Sequence, residues 1–405
     1  MSLAGFSSKS ASGQFTLFAA GHSFLIGMLP FYLPVLIWEQ TQSLAHLFLF
    51  IALTGLGFVL SLKLWTEMQK RGLWQKIILV SFILELLIVL AMQTKPEIFN
   101  VFWLFALGLI NGAYACFYWT TQRFMFNAFT GSDNSGKHFG NFQIIVAVML
   151  KVGIFSGGLL LENDQVFWLL SASILSSILF YLWIGKPCAE LSGRTQGLNS
   201  KIDLCSRTKS VFYIDGVFLY LESYFWILTL YLVLKESFST LGFVVVFLTI
   251  ALSALFWVLK KYIDQYNLPS IFHMAVILYC ASWLLRSMID ADQSTLLLFV
   301  LVSLIAFFTA YFRLVFNKRF FDVAKQEKPE LYIVLKSYMS QWGLVVFFSL
   351  SAMLSLFVLD SELALLEQIS GFYLWLAPVS LTYLLYERVS GASVHSDMDV
   401  GKVQV

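Results

Sequence analysis

Twelve apolar segments, each long enough to cross a bilayer, leave this 405-residue chain little sequence from which to build anything else. They run 15–37, 44–62, 74–92, 99–121, 140–161, 166–184, 211–234, 239–259, 269–288, 295–313, 332–358 and 367–386. A spanning helix needs about 20 predominantly apolar residues, so twelve take about 240 and the rest is short loops. Spanning strands alternate apolar and polar residues, whereas Ile77 to Leu90 is almost continuously apolar. Charged residues make up 12% of the chain, half the share of about 25% in a soluble domain. That is too little to cover a water-soluble body of this size. The expected class is an all-α integral membrane protein with twelve transmembrane helices. The first segment is too long for a signal-peptide core and lacks a small-residue cleavage site, so it is expected to stay as an anchor.

The basic residues set the topology. One set of loops and the two termini carry 22 of the 26 Lys and Arg residues, among them Lys63, Lys70, Arg71, Lys76, Lys260 and Lys261. The opposite loops hold only Lys95, Lys235 and Arg286, with acids such as Glu39, Glu162, Asp290 and Asp360. By the positive-inside rule both termini are cytoplasmic, which an even helix count requires. The longest polar stretch, 185–209, divides the chain into an N-terminal six-helix bundle (1–184) and a C-terminal six-helix bundle with a short tail (210–405).

Several functional classes drop out. A net charge of +2 gives no support to nucleic acid as a partner. Cys116, Cys188, Cys205 and Cys280 and the five scattered histidines have no metal-ligand spacing. No cofactor is implied, and no phosphate-binding loop is present to drive an ATP-powered pump. A membrane-embedded enzyme is the rival class, but the outer loops are too short to form a catalytic cap. A non-transporting receptor or assembly factor is the other alternative.

The halves resemble one another. Arg123-Phe-Met-Phe-Asn127 matches Arg313-Leu-Val-Phe-Asn317 at an offset of 190 residues, and the same offset lays Lys151 over Gln341 and Gly153 over Gly343. Near offset 197, Lys63-x-x-x-Glu67 matches Lys260-x-x-x-Asp264. Duplicated halves suit a transporter whose site lies between them.

With twelve helices, cytoplasmic termini, a central basic loop and two similar halves, the whole chain resembles the major facilitator superfamily. Two local motifs add to this. The loop after the second segment carries Glu67, Lys70, Arg71 and Gly72, without the family's leading glycine. The fifth segment reads Gly153-Ile-Phe-Ser-Gly157-Gly158, without the family's proline. The resemblance implies two pseudo-symmetric six-helix bundles around a central cavity. Independently of the family, Gly153, Gly157 and Gly158 give one helix face little bulk for close packing. Lys63, Glu67, Lys70 and Arg71, with Lys260 and Asp264, form a cytoplasmic charge cluster that either gates or merely signals topology.

An ionisable residue in the hydrocarbon layer is expensive, and so marks a functional position by default. At about 1.5 Å per residue, Lys151 lies about 21 Å in from Lys137. On the same measure Glu222 lies about 20 Å in from Lys209, and Asn111 about 18 Å in from Arg123. These three share a level near the midplane. The expected central site has Lys151 facing an anionic solute or Glu222, with Glu222 loading and releasing a proton. His22 and Asp215 extend a proton path. Tyr114, Tyr118, Tyr224, Tyr338, Gln341, Trp226 and Trp342 supply hydrogen bonds and aromatic walls. Glu85, in the peripheral third segment, reads as structural, and snorkelling accounts for Arg123 and Arg313 at the inner boundary. The expectation is a proton-linked secondary transporter of a small organic solute, monomeric, in a bacterial inner membrane.

Overall fold

The computed structural model describes residues 11–94, 100–129, 135–185, 202, 204–248, 269–326, 329–358 and 365–386. All regular structure among them is helical. In chain order the helices are α1 (Ala11–Met28), α2 (Leu33–Thr41), α3 (Leu44–Lys70), α4 (Trp74–Gln93), α5 (Val101–Ala115), α6 (Thr121–Phe129), α7 (Ser135–Glu162) and α8 (Val166–Ile184). They continue with α9 (Ser206–Tyr220), α10 (Trp226–Val233), α11 (Phe238–Leu248), α12 (Pro269–Ser287), α13 (Thr295–Gln326), α14 (Pro329–Val358) and α15 (Leu365–Ser380). Ten spans among the described residues are long and apolar enough to cross a membrane, and the bent pair at the N-terminus makes eleven. The chain is an integral membrane protein. The eighth expected segment, 239–259, is described only as far as Leu248, and Lys260 and Asp264 lie outside the described residues.

Three departures from uniform spanning helices have local causes. The first segment is not one helix: it bends by 45° between Met28 and Pro30. Pro30 and Pro34 lack the N–H that would continue the hydrogen-bond ladder, and proline also disfavours helical backbone in the residue before it. Two other spans carry a π turn: Cys116–Thr120 joins α5 to α6, and Leu221–Phe225 joins α9 to α10. Several helices run past the apolar stretch at the basic end. α3 reaches Lys70, so Lys63 and Glu67 lie on helix rather than in a loop. Gly72 makes the turn into α4 with φ +68°, and Gly185 ends α8 with φ +66°, a region where a Cβ is strained.

The chain forms two compact units, interleaved along the sequence. One comprises residues 1–201, 216–246 and 330–360, the other 202–215, 247–329 and 361–405. In the first, α1 packs on α7 and α8, α3 on α5, and α4 on α5 and α8. Two of these pairings are backbone-on-backbone seams. A methyl on Gly153 would overlap the Phe24 carbonyl, and one on Gly157 the Met28 carbonyl, fixing α7 against α1. A methyl on Gly112 would overlap the Thr54 carbonyl, and one on Gly57 the Leu109 carbonyl, fixing α5 against α3. Lipid tails give apolar helices no drive to associate, so close van der Waals contact over small residues supplies it. Gly158 meets the Tyr32 hydroxyl and the Phe238 backbone instead. In the second unit α12 packs on α13 and α15.

Candidate transport site

Glycine packing at the α3–α5 seam brings Asn111 beside Thr54. Asn111, 5% exposed on α5, donates through Nδ2 to Thr54 Oγ1 at 3.2 Å and to the Tyr224 hydroxyl at 3.0 Å. Both amide hydrogens are thereby used, and the Tyr224 oxygen acts as acceptor, which leaves its own O–H free to donate. Tyr220 stacks on Tyr224 with ring centroids 5.2 Å apart. Asn111 and Thr54 come from the first six segments and Tyr224 from the seventh. Gln341, from the eleventh, joins the same region: its backbone carbonyl lies against Gly55, next to Thr54. Its side-chain Oε1 is buried without a hydrogen-bond partner.

Lys151 lies on α7, half-buried, and makes no hydrogen bond or ion pair among the described residues. It shares a helix face with Ile154 and Gly158, three and seven residues on. The Ile154 and Gly158 positions abut Gly242 and Phe238 of α11. Lys151 therefore sits on the side of α7 turned towards the later segments, away from the α1 seam of Gly153 and Gly157. It makes no ion pair with Glu222. Glu222 is half-buried within the π turn Leu221–Phe225, and Trp226 is buried just after it.

His22 belongs to a separate polar core. It is fully buried, with Nε2 2.9 Å from Ser81 Oγ and Nδ1 3.3 Å from the Tyr114 hydroxyl. Its ring stacks on Phe82 with centroids 4.1 Å apart, and Tyr118 lies 4.7 Å away on another side. Tyr114 thus serves His22, and no described hydrogen bond takes it to Asn111, one turn earlier on α5.

Asp215 belongs to the second unit, and its surroundings there differ from the expected proton path. The Arg313 guanidinium donates to Asp215 Oδ1 at 2.6 Å, and the Tyr383 hydroxyl donates to the same oxygen at 2.7 Å. Arg313 also lies against the Tyr279 and Phe312 rings at 5.6 and 5.5 Å. Asp215 is completely buried and the Arg313 side chain is 15% exposed, so Arg313 does not snorkel to the interface. It is drawn inward by a carboxylate that would otherwise be an uncompensated buried charge. Its repeat counterpart Arg123 behaves differently, donating to Ser337 Oγ of α14 at 2.9 Å.

The charge cluster is sparse. Lys70 and Glu67 form an exposed i,i+3 pair at 3.7 Å, a contact worth about 0–1 kcal/mol. Lys63 and Arg71 are exposed. Sequence reasoning missed the contacts at the opposite, acidic end. There the Tyr231 hydroxyl donates to Glu39. Glu162 Oε2 accepts from the backbone N–H groups of Phe238 (2.8 Å) and Ser239 (3.3 Å), at the start of α11. A carboxylate is favoured at a helix N-terminus, where N–H groups point outward without partners. These contacts tie the first and fifth segments to the seventh and eighth. Among the described residues no group of three or more His, Cys, Asp or Glu side chains is placed to hold a metal.

No family model and no curated protein matches the chain. Solved structures do. The nucleoside transporter NupG aligns with a TM-score of 0.65 at 13% identity, covering 93% of this chain and 98% of that one. A mutant of NupG gives 0.66 at 12% identity, covering 93% and 99%. The human organic anion transporter MFSD10 (TETRAN) gives 0.59 at 12% identity, again covering 93% and 99%. The chain has the major facilitator fold. Among the described residues, Asn111 is bonded to Tyr224 of the seventh segment, and Lys151 makes no hydrogen bond or ion pair.

Proposed function

We propose that this chain is a secondary active transporter that moves a small organic anion or zwitterion by alternating access, coupled to protons. The observation that carries the reading is Lys151. A lysine at membrane depth with no counter-charge among the described residues is costly, and an anionic solute group would supply what is missing. Tyr224, with a free O–H, and Gln341, with a free carbonyl, would orient the solute's polar groups beside it. The organic anion transporter among the structural neighbours fits this class; the nucleoside transporters carry a polar, aromatic solute that the Tyr220–Tyr224 stack would also suit. We take the chain to be twelve helices in two repeat-related bundles, 1–184 and 210–405, joined by 185–209. Both termini face the cytoplasm of a bacterial inner membrane, and the protein acts as a monomer. The Glu39 and Glu162 contacts would then close the outer side, and the Arg123–Ser337 bond would brace the inner one.

The test is solute accumulation in proteoliposomes under an imposed pH gradient, using a panel of organic anions, zwitterions and nucleosides. Lys151→Ala should raise the half-saturating concentration of the transported solute about 10- to 100-fold, the loss of one charge-assisted hydrogen bond of about 1.5–3 kcal/mol. Unchanged affinity would remove Lys151 from the site. Glu222→Gln should retain solute exchange but lose gradient-driven accumulation. Full accumulation in that variant would end the proton role of Glu222.

A further inference from the structure

Glu85 of α4 is completely buried. Its Oε2 accepts a hydrogen bond from Ser177 Oγ of α8 at 3.2 Å, while Oε1 has no hydrogen-bond partner. Ser173, one turn before Ser177 on the same buried face of α8, also has a hydroxyl without a partner. No Lys or Arg pairs with Glu85 among the described residues. One turn earlier on α4, Ser81 donates to the Ile78 carbonyl at 2.7 Å, so its oxygen is the acceptor in the 2.9 Å contact with His22. That assigns the His22 proton to Nε2 and makes Nδ1 the acceptor of the Tyr114 O–H. The hydrogen bonds around His22 therefore close with a neutral ring, and the bare carboxyl oxygen of Glu85 is left over in the same core.

The elements packed on α4 bring few other titratable groups. From α1 there is His22; from α5 and its π turn, Tyr114, Cys116 and Tyr118; from α8, Tyr181, which meets Phe82. From α3 the described contact is the apolar pair Trp65–Trp74. None of these is a fixed cation. A carboxylate closed off from water with one hydrogen bond and no positive partner costs several kcal/mol.

We infer that Glu85 is a second proton-binding carboxyl, set in the packed core of the first six segments and apart from the Asn111–Tyr224 layer, with Ser177, Ser81 and His22 as its polar surround. Uptake forms one O–H bond from an Oε1 lone pair and neutralises the carboxylate; release returns the proton to water. Tyr114 bonds His22, which contacts Ser81 one turn before Glu85 on α4, and Tyr114 is itself one turn from Asn111, so the hydrogen bonds beside Glu85 reach to within one helical turn of the layer that links the segments. The link to solute movement rests on the transporter reading above, whereas proton binding does not.

The two are therefore tested separately. Infrared difference spectra of the purified protein, scanned from acid to alkaline buffer, should contain a carboxyl C=O band that titrates in wild type. The band should be missing in Glu85→Gln and kept in Glu222→Gln. A spectrum unchanged in Glu85→Gln overturns the proposal even if transport is normal. Ser177→Ala removes the one described hydrogen bond to the carboxyl and must shift the band or its midpoint. If it shifts neither, the assignment fails, and this holds even where Glu85→Gln does not fold. In proteoliposomes, Glu85→Gln should lower gradient-driven accumulation at least tenfold while solute exchange persists. Loss of the infrared band with full accumulation would leave a proton site without coupling and overturn the link.

Discussion

Replacing Asp215 with alanine should destabilise the purified protein by about 3–5 kcal/mol, the usual cost of removing one member of a buried ion pair. Arg313 would be left beside Tyr279 and Phe312 with its main counter-charge gone, and Tyr383 would lose its acceptor. Thermal unfolding in detergent measures the effect directly. The double variant Asp215→Ala with Arg313→Ala should lose clearly less than the sum of the single changes, because deleting both partners leaves no orphan charge. Arg313→Lys should not rescue the site, since an ammonium cannot reproduce the planar fork that reaches Asp215 and Tyr279 together. A loss below about 1 kcal/mol for Asp215→Ala, within the range of an exposed pair, would mean that the pair is solvated in the membrane-embedded protein.

A second large effect is expected at Gly112. Its missing Cβ is the space occupied by the Thr54 carbonyl, with the Phe58 N–H 2.7 Å from the same point. Both obstacles are backbone, so neither can swing aside as a side chain would. Gly112→Val should push α5 off α3 and cost more than the usual 1–3 kcal/mol of overpacking, with loss of the folded protein from the membrane as the readout. The milder Gly112→Ala should leave protein to study but displace Asn111 from Thr54 and Tyr224, weakening solute affinity along with stability. Gly371 is the control. Nothing lies within 4 Å of its would-be Cβ, and it sits within α15. Gly371→Ala should therefore be neutral or stabilising by up to about 1 kcal/mol through helix propensity. Equal damage at both positions would refute the seam.

The membrane class and the helical spans were legible because burial in lipid demands long apolar runs; the Val166–Ile184 helix coincides with its expected segment. Helix ends were less legible. Lys63 and Lys70 remain helical past the end of the apolar segment at residue 62, and no apolar count marks where a helix stops. The break at Pro30 was present in the sequence but diluted by the apolar residues around it. Lys151 could be singled out because its charge is rare at that depth. Thr54 could not, because a threonine in an apolar helix satisfies itself on its own backbone, as its bond to Phe50 illustrates. Arg313 was misread for a related reason. Its partner Asp215 lies 98 residues earlier, a pairing that only folding creates. Glu85 read as structural because its helix is peripheral, and the bare oxygen that argues otherwise is a property of packing.

The two π turns bear on how any variant of α5 or α9 should be numbered. Each takes one residue more than an α turn to cover the same rise. Along the seventh span, positions before Leu221 and after Phe225 are therefore out of angular register with a uniform helix by about one residue, or about 100°. Tyr220, Ile227 and Tyr231 would share one face of a uniform helix, but the turn between the first and the other two displaces it. Cysteine scans or aligned substitutions that assume constant periodicity will assign lipid-facing and interior positions to the wrong sides of that point. The same slip occurs at Cys116–Thr120, so the two spans that each contribute a partner to the Asn111–Tyr224 bond both carry this dislocation on its basic-end or central stretch.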